Sequence, residues 1–152
     1  MCAYEILSPH LKIKWCEGFI LKNERYTQVS GYIFNDKGEM LIVKNGKTWT
    51  IPGGHPEAGE MPEQTLCREV MEEACVVLSD LQYIGAVEVV EDGEVYYQMR
   101  YVARTKDILP FGTEWEIDER KFVKIEEIEN YITWANGKTF SAQLCAAKAC
   151  LK

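Results

Sequence analysis

The chain has 152 residues, 47% of them apolar and 27% charged, which suits one folded domain and excludes an intrinsically disordered protein. No apolar run is long enough to cross a membrane and no signal peptide is visible, so we expect a cytoplasmic protein without membrane contact. The net charge of −7 argues against binding a nucleic acid polymer, although cations between carboxylates and phosphates would permit a small phosphorylated ligand.

The predicted elements are weak at the N-terminus. Ile13–Trp15 and Phe19–Leu21 are candidate short strands on either side of Gly18, but the pattern is faint. Residues 1–27 are therefore an N-terminal extension of uncertain structure within a single domain spanning residues 1–152.

The strand signals become clear after residue 27. Val29–Phe34 and Met40–Val43 indicate a β-hairpin, because apolar runs flank the turn residues Asn35–Gly38. Thr48–Ile51 is a short strand that ends at a Gly-rich loop. A helix over about Pro62–Ala74 follows, since proline suits the first helical turn.

The second half of the chain predicts another hairpin and two helices. Tyr83–Val90 and Val95–Arg104 are predicted strands joined at an Asp-Gly turn, and Phe122–Ile125 is a further strand. Glu126–Tyr131 is predicted as a short helix and Phe140–Leu151 as the C-terminal helix. Together the elements predict an α/β fold of the α+β type, in which helices pack on a mixed sheet.

The six cysteines are scattered along the chain and form no CxxC pair. This spacing favours reduced thiols over disulfides or a zinc site. Cys67 falls on the apolar side of the predicted helix, so we expect it to fill the core.

The segment Gly54–Val76, GHPEAGEMPEQTLCREVMEEACV, is the most informative part of the sequence. On a helical wheel Glu69, Glu72 and Glu73 fall within an arc of roughly 100°, with Arg68 beside them. The other arc is apolar and is formed by Leu66, Cys67, Val70, Met71 and Ala74.

The three glutamates of this segment repel one another. Like charges at i, i+3 and i+4 destabilise a helix by roughly 0.2–0.5 kcal/mol per pair, and the macrodipole disfavours anions in the C-terminal half. A divalent cation converts the repulsion into coordination, and Mg²⁺ or Mn²⁺ suits an all-oxygen ligand set. Acidic runs are also common on solvated helices, so REVMEE alone does not decide between a metal site and an exposed face.

The loop before the helix strengthens the metal-site interpretation. Gly53, Gly54 and Gly59 allow a sharp turn or a close approach of the backbone to a ligand. Glu60 adds a fourth carboxylate within reach of the same ions.

The segment resembles the Nudix box, G-x5-E-x7-R-E-U-x-E-E-x-G-U, in which U is a bulky aliphatic residue. Gly54, Glu60 and the run Arg68–Glu73 stand at the spacing of the motif. With the strands around it, the resemblance covers about residues 28–135 and implies a Nudix-type α/β/α sandwich.

Cys75 departs from the motif, because the family has a glycine there that caps the helix in a left-handed conformation. A cysteine in that conformation costs about 1 kcal/mol, unless the cap differs. The residue is not among the implied metal ligands, so the departure bears on local geometry rather than on activity.

The resemblance implies the metal ligands. Glu69, Glu72 and Glu73 bind the divalent cations, and Glu60 and the carbonyl of Gly53 assist them. Because the ligands are oxygen atoms, the implied cofactor is Mg²⁺ or Mn²⁺.

The resemblance also implies how the reaction proceeds. Arg68 orients glutamate carboxylates through charge-assisted contacts and does not touch the substrate. Water attacks a phosphorus atom while the metal neutralises the diphosphate, and a glutamate at or near Glu69 takes the proton. Family members often recruit a further acid from a later loop, and Glu116 and Glu114 are the candidates, although exposed loop acids fit their positions equally well.

The implied function is a Nudix pyrophosphohydrolase that cleaves a phosphoanhydride bond of a small-molecule nucleoside diphosphate derivative. The size and simplicity of the chain favour a MutT-like enzyme acting on a nucleoside triphosphate. Dinucleoside polyphosphates, ADP-sugars and isoprenoid or sugar diphosphates are alternative substrates. A nucleotide sensor without catalysis is disfavoured by the intact Glu69, Glu72 and Glu73, and a homodimer is left open.

Overall fold

The computed structural model describes residues 2–111 and 119–151. Within these ranges the strands are β1 (Cys2–Ser8), β2 (Leu11–Glu17), β3 (Tyr26–Phe34), β4 (Met40–Asn45), β5 (Thr48–Thr50), β6 (Gly53–Gly54), β7 (Val76–Glu91), β8 (Glu94–Ile108) and β9 (Glu119–Val123). The helices are α1 (Pro62–Ala74), α2 (Lys138–Ala149) and a short 3₁₀ helix (Ile125–Asn130). None of these helices is both long enough and apolar enough to cross a membrane.

One mixed sheet contains all of these strands. Its main path runs β1-β2-β7-β8-β3-β4-β5, while β6 pairs with β3 and β9 pairs with β4. The pairing of β3 with β8 is parallel and the others are antiparallel. The predicted mixed sheet is confirmed, as is the long hairpin that turns at Asp92 and Gly93.

Each face of the sheet has its own hydrophobic core, and each core is covered by one helix. Neighbouring residues of β3 point to opposite faces, so Ile33 packs in the α1 core while Tyr32 packs in the α2 core. The residues that the helices bury in these cores include Leu66, Val70 and Ala74 of α1 and Phe140, Ala142 and Ala147 of α2. The architecture is therefore an α/β/α sandwich.

The N-terminal residues belong to the sheet. β1 pairs with β2, β2 pairs with β7, and Trp15 is fully buried in the α2 core. The prediction of a strand at Phe19–Leu21 is wrong, because the chain leaves the sheet at Gly18, whose φ of 69° belongs to the left-handed region. Phe19 instead stacks on Tyr97, with 5.3 Å between the ring centroids.

The other predicted elements are present with shifted bounds. β7 and β8 extend to Val76 and Ile108, well beyond the predicted hairpin. The predicted strand Phe122–Ile125 is realised as β9, which ends earlier because Ile125 begins the 3₁₀ helix. That 3₁₀ helix is the short helix that the sequence placed at Glu126–Tyr131.

Cys67 does not fill the core, contrary to the expectation from the helical wheel. Its side chain is exposed. The buried side of α1 is turned away from it, toward Thr65, which is fully buried because its hydroxyl donates to Glu60 over 2.9 Å. Thr65, whose hydroxyl has a carboxylate partner, therefore lies in the interface between α1 and the sheet, where the helical wheel had placed Cys67.

The end of α1 matches the cap implied by the family's glycine, although the residue is a cysteine. Cys75 has φ 55° and ψ 43°, and its N–H donates to the Met71 carbonyl over 3.0 Å. The last turn of α1 has no basic residue of its own, but Arg120 of β9 donates to the Ala74 carbonyl over 2.7 Å. The left-handed cap is therefore confirmed, and a cation from another strand supports the C-terminus of the helix.

We predict that Cys75→Gly stabilises the protein by about 1 kcal/mol, because glycine adopts a positive φ without the steric cost of a β-carbon. The measurement is thermal unfolding of the variant beside the unsubstituted protein. Cys67→Gly is the matched control, and it should lower the melting temperature because glycine costs backbone entropy inside a helix. A lower melting temperature for Cys75→Gly would show that the cap is not strained.

Candidate active site

Arg68 lies at the centre of a cluster of glutamates from α1 and the loop before it. Its Nε is 2.7 Å from Glu60 Oε2, and its Nη1 is 2.9 Å from Glu69 Oε1 and 3.3 Å from Glu72 Oε2. The backbone carbonyl of His55 accepts a further hydrogen bond from Nη2 over 3.0 Å. One guanidinium therefore holds three carboxylates and the loop backbone in a fixed arrangement.

Glu60 is the carboxylate most strongly bound to this guanidinium. The hydrogen bonds from Arg68, with further donors from the Glu57 backbone and the Thr65 hydroxyl, lower the pKa of Glu60 to about 2. The pKa of Arg68 is raised in return, chiefly by its contact with Glu60. This pair stays ionised near neutral pH and connects the loop to α1.

Glu73 sits apart from Arg68, in a partly buried position against β6. Its Oε1 accepts a hydrogen bond from the Gly53 backbone N–H over 2.8 Å. Burial, with the charges of Glu69 and Glu72 nearby, raises the pKa of Glu73 to about 8. Burial also raises the pKa of Glu69. Burial thus disfavours the charged form of both carboxyl groups, and a cation at this face would favour that form.

The two glycines of β6 give the acidic face its close contact with the loop. A β-carbon on Gly54 would lie 2.4 Å from Glu69 Cδ, so only glycine leaves room for that carboxylate. A β-carbon on Gly53, whose φ is 156°, would lie 2.3 Å from Ser30 Oγ on β3. The backbone of β6 is therefore inserted between β3 and the carboxylates of α1.

The glutamates fit a hard divalent cation by their chemistry rather than by a preformed coordination shell. In residues 2–111 and 119–151, no three acidic, histidine or cysteine side chains converge as metal ligands, because Arg68 and the Gly53 N–H engage the carboxylates. The donors are nevertheless oxygen atoms on one helix face, as Mg²⁺ and Mn²⁺ prefer. Glu114 and Glu116, the predicted sources of a further ligand, lie outside the described residues.

A cavity of about 310 Å³ lies on the α2 side of the sheet. Ser30 of β3 lines this cavity and is also the residue that pairs with Gly53, so the cavity and the acidic cluster share the β3–β6 pair. Glu5 and Leu7 of β1 contribute to the opposite wall. The backbone of the β3–β6 pair therefore connects the cavity to the acidic face.

The cavity contains two functional candidates that the sequence analysis missed. Arg100 is only 6% exposed and lines the cavity together with Trp134, which is 39% exposed. The signal for Arg100 was a lone arginine within the otherwise apolar run Met99–Ala103. Tyr97 and Tyr101 of the same hairpin are buried elsewhere and are not in the lining.

Comparison with known proteins identifies relatives of both the sequence and the fold. The family model of the NUDIX domain matches residues 24–144. The NAD-capped RNA hydrolase NudC of Pectobacterium carotovorum is 29% identical over 92 residues, which cover 56% of this chain and 35% of that protein. This chain thus spans about a third of the length of that curated relative.

Two solved structures show the similarity of the fold. The Bacillus subtilis pyrophosphohydrolase BsRppH superposes with a TM-score of 0.77 at 16% identity, covering 92% of each chain. A MutT structure, from a study of the Aliivibrio salmonicida and Vibrio cholerae proteins, superposes with a TM-score of 0.61 at 26% identity. The superposition covers 84% of this chain and 98% of that one.

We predict that Gly54→Ala weakens Mn²⁺ binding by about 10- to 100-fold, because the new methyl group displaces the Glu69 carboxylate. The melting temperature should change little, since the displaced group is the end of a flexible side chain. Mn²⁺ binding is measured by the loss of the free-ion signal in electron paramagnetic resonance.

Gly31→Ala is the matched control for this substitution. Its β-carbon would lie 3.2 Å from the Leu66 methyl groups, so it should lower stability and leave Mn²⁺ affinity unchanged. Equal Mn²⁺ affinity in Gly54→Ala and the unsubstituted protein would remove Glu69 from the proposed metal site.

Proposed function

The chain belongs to the Nudix family, and on that premise we propose that it is a metal-dependent pyrophosphohydrolase acting on a nucleoside triphosphate. The observation that carries this proposal is the acidic face of α1, where Glu69, Glu72 and Glu73 gather around Arg68 and the Gly53 N–H. The similarity to the pyrophosphohydrolase BsRppH and to MutT supports the same reaction type.

Glu69, Glu72 and Glu73 would hold the divalent cation, with Glu60 and the Gly53 carbonyl in supporting roles. When bound, Mg²⁺ or Mn²⁺ supplies positive charge that offsets the phosphates and makes water a better nucleophile. The raised pKa values of Glu69 and Glu73 support this assignment, because burial disfavours their charged forms and a bound cation would favour them.

The remaining roles follow from the contacts of the side chains. Arg68 orients carboxylates, since its donors point at Glu60, Glu69 and Glu72. Glu69 Oε1 accepts a hydrogen bond from Arg68, and a glutamate at or near Glu69 would accept the proton of the attacking water. The Gly53 N–H fixes the Glu73 carboxylate against β6 and so keeps the ligand face aligned with the loop.

The choice of a nucleoside triphosphate is supported by the neighbouring cavity. Its volume of about 310 Å³ is in the range of small-molecule sites, and it shares β3 and β6 with the acidic face. A base and sugar in the cavity would leave the phosphates directed toward the glutamates.

The setting of the enzyme is part of the same proposal. We treat residues 1–152 as one domain because β1 and β2 pair into the sheet that carries the site. Within the described part of the chain Cys67, Cys75, Cys145 and Cys150 form no disulfide, which suits a reducing cytoplasm.

We predict that hydrolysis requires Mg²⁺ or Mn²⁺, because no side chain at the acidic face replaces the charge of the cation. The test is phosphate or pyrophosphate release across a panel of nucleoside triphosphates, ADP-sugars and isoprenoid diphosphates, with and without EDTA. Full turnover after removal of metal would contradict the mechanism. Preference for a substrate without a nucleoside would contradict the proposed substrate class.

We predict that Glu69→Gln and Glu73→Gln each reduce turnover on the order of 100-fold or more while the protein stays folded. Removing one negative charge from the cluster relieves repulsion within α1, so the melting temperature should hold or rise. Glu63→Gln, at an exposed position of the same helix, is the control and should keep nearly full activity. If both site variants turn over at the rate of this control, the metal ligands lie elsewhere.

A further inference from the structure

Arg100 places a positive charge in the wall of the cavity without a negative partner. None of the ion pairs in the described part of the chain includes it. The buried hydroxyl of Tyr32 does not compensate, because burial raises the pKa of Tyr32 and keeps the phenol neutral. Burial lowers the pKa of Arg100, yet a guanidinium retains its charge in proteins. A ligand with strong acceptors would therefore stabilise this buried charge.

Three glutamines surround Arg100 and turn their oxygen atoms toward it. Gln143 Oε1 accepts from Nε over 3.0 Å, Gln28 Oε1 from Nη1 over 3.1 Å, and Gln98 Oε1 from Nη2 over 3.1 Å. Gln143 Oε1 also accepts from the Tyr32 hydroxyl over 2.8 Å, which uses both of its lone pairs. The contacts with Arg100 thus fix the orientation of each amide.

The polar part of the cavity is consequently rich in donors. With their oxygens on Arg100, Gln28, Gln98 and Gln143 have their NH₂ groups left to donate, and these groups bind no acceptor among the described residues. The carboxylate of Glu5, the acidic group in the lining, already accepts from the Thr139 N–H and hydroxyl. The cavity therefore suits a ligand edge made of acceptors.

We propose that this cavity binds the base of the substrate, and that Arg100 with its three glutamines selects a base bearing a carbonyl over one bearing an amino group. The carbonyl of a 6-oxopurine or of uracil accepts hydrogen bonds from the N–H groups of the cavity. The amino group of adenine or cytosine would instead place its own N–H donors opposite those groups. Ile13, Ile51 and Val87 give apolar walls, and Trp134 offers a ring face at the opening. The identification of the ligand as a nucleotide rests on the proposed function.

The first test uses nucleosides, which lack phosphates and so do not engage the acidic face. Inosine is compared with adenosine, and uridine with cytidine, because each pair exchanges a carbonyl and an adjacent ring N–H for an amino group and an unprotonated ring nitrogen. Binding is followed by NMR titration of the Trp134 indole and the Gln98 amide signals. The carbonyl-bearing nucleoside of each pair should bind at least about tenfold more tightly.

The second test replaces the cation with an apolar side chain of similar length. In Arg100→Met the glutamine oxygens lose their donor, so the amides can turn and accept from an amino group, and the discrimination should fall to nearly one. Arg104→Met is the matched control, because Arg104 lies on the same strand but donates to the Leu151 carbonyl outside the lining. The control should keep the discrimination of the unsubstituted protein.

Equal affinity for both members of each nucleoside pair would overturn the inference. So would a response of the Trp134 signal to inorganic phosphate but to no nucleoside, since the ligand would then be a simple anion. If Arg100→Met does not fold, the nucleoside pairs on the unsubstituted protein still decide the question. Selective nucleoside binding without triphosphate hydrolysis would contradict the proposed function alone, and hydrolysis without base discrimination would contradict this inference alone.

Discussion

The mutual repulsion of the glutamates on α1 is the constraint on which the rest of the structure depends. Glu69, Glu72 and Glu73 share one face at spacings that destabilise an isolated helix. The fold offsets this cost in three ways. Arg68 neutralises part of the charge, the buried side of α1 anchors the helix to the sheet, and Arg120 supplies a cation at the helix end. The protein can therefore maintain an acidic face that remains short of positive charge.

The alternation of β3 connects this acidic face to the cavity. Residues of β3 that face α1 include Ile33, which packs in the core beneath that helix, while Gln28 and Ser30 face α2 and line the cavity. β6 pairs with β3 and contacts Glu69 and Glu73. The backbones of β3 and β6 therefore join the cavity to the acidic face. The acidic cluster on one face and the cavity on the other are therefore held in a fixed relation by main-chain hydrogen bonds.

The parts of the structure that depend on neighbouring residues could be predicted from the sequence, whereas those that depend on distant contacts could not. The helix Pro62–Ala74 and the hairpin that turns at Asp92 and Gly93 follow from local spacing and turn chemistry, and the resemblance to the Nudix box implied the left-handed Cys75. Cys67 was misplaced because the burial of Thr65 depends on Glu60. Arg100 was missed because Gln28 and Gln143, which accept its hydrogen bonds in the cavity, lie 72 and 43 residues away in the chain.

The hydrogen bonds between Glu5 and Thr139 tie the edge strand β1 to the start of α2. Glu5 and Leu7 also form part of the cavity wall, yet both precede the range 24–144 that matches the family model. The acidic helix lies wholly within that range. Under the proposed function, the residues that recognise the substrate and those that hydrolyse it would be encoded partly in separate stretches of the chain. Exchange of the β1–β2 hairpin during evolution would then alter which molecules enter the cavity without disturbing the acidic helix.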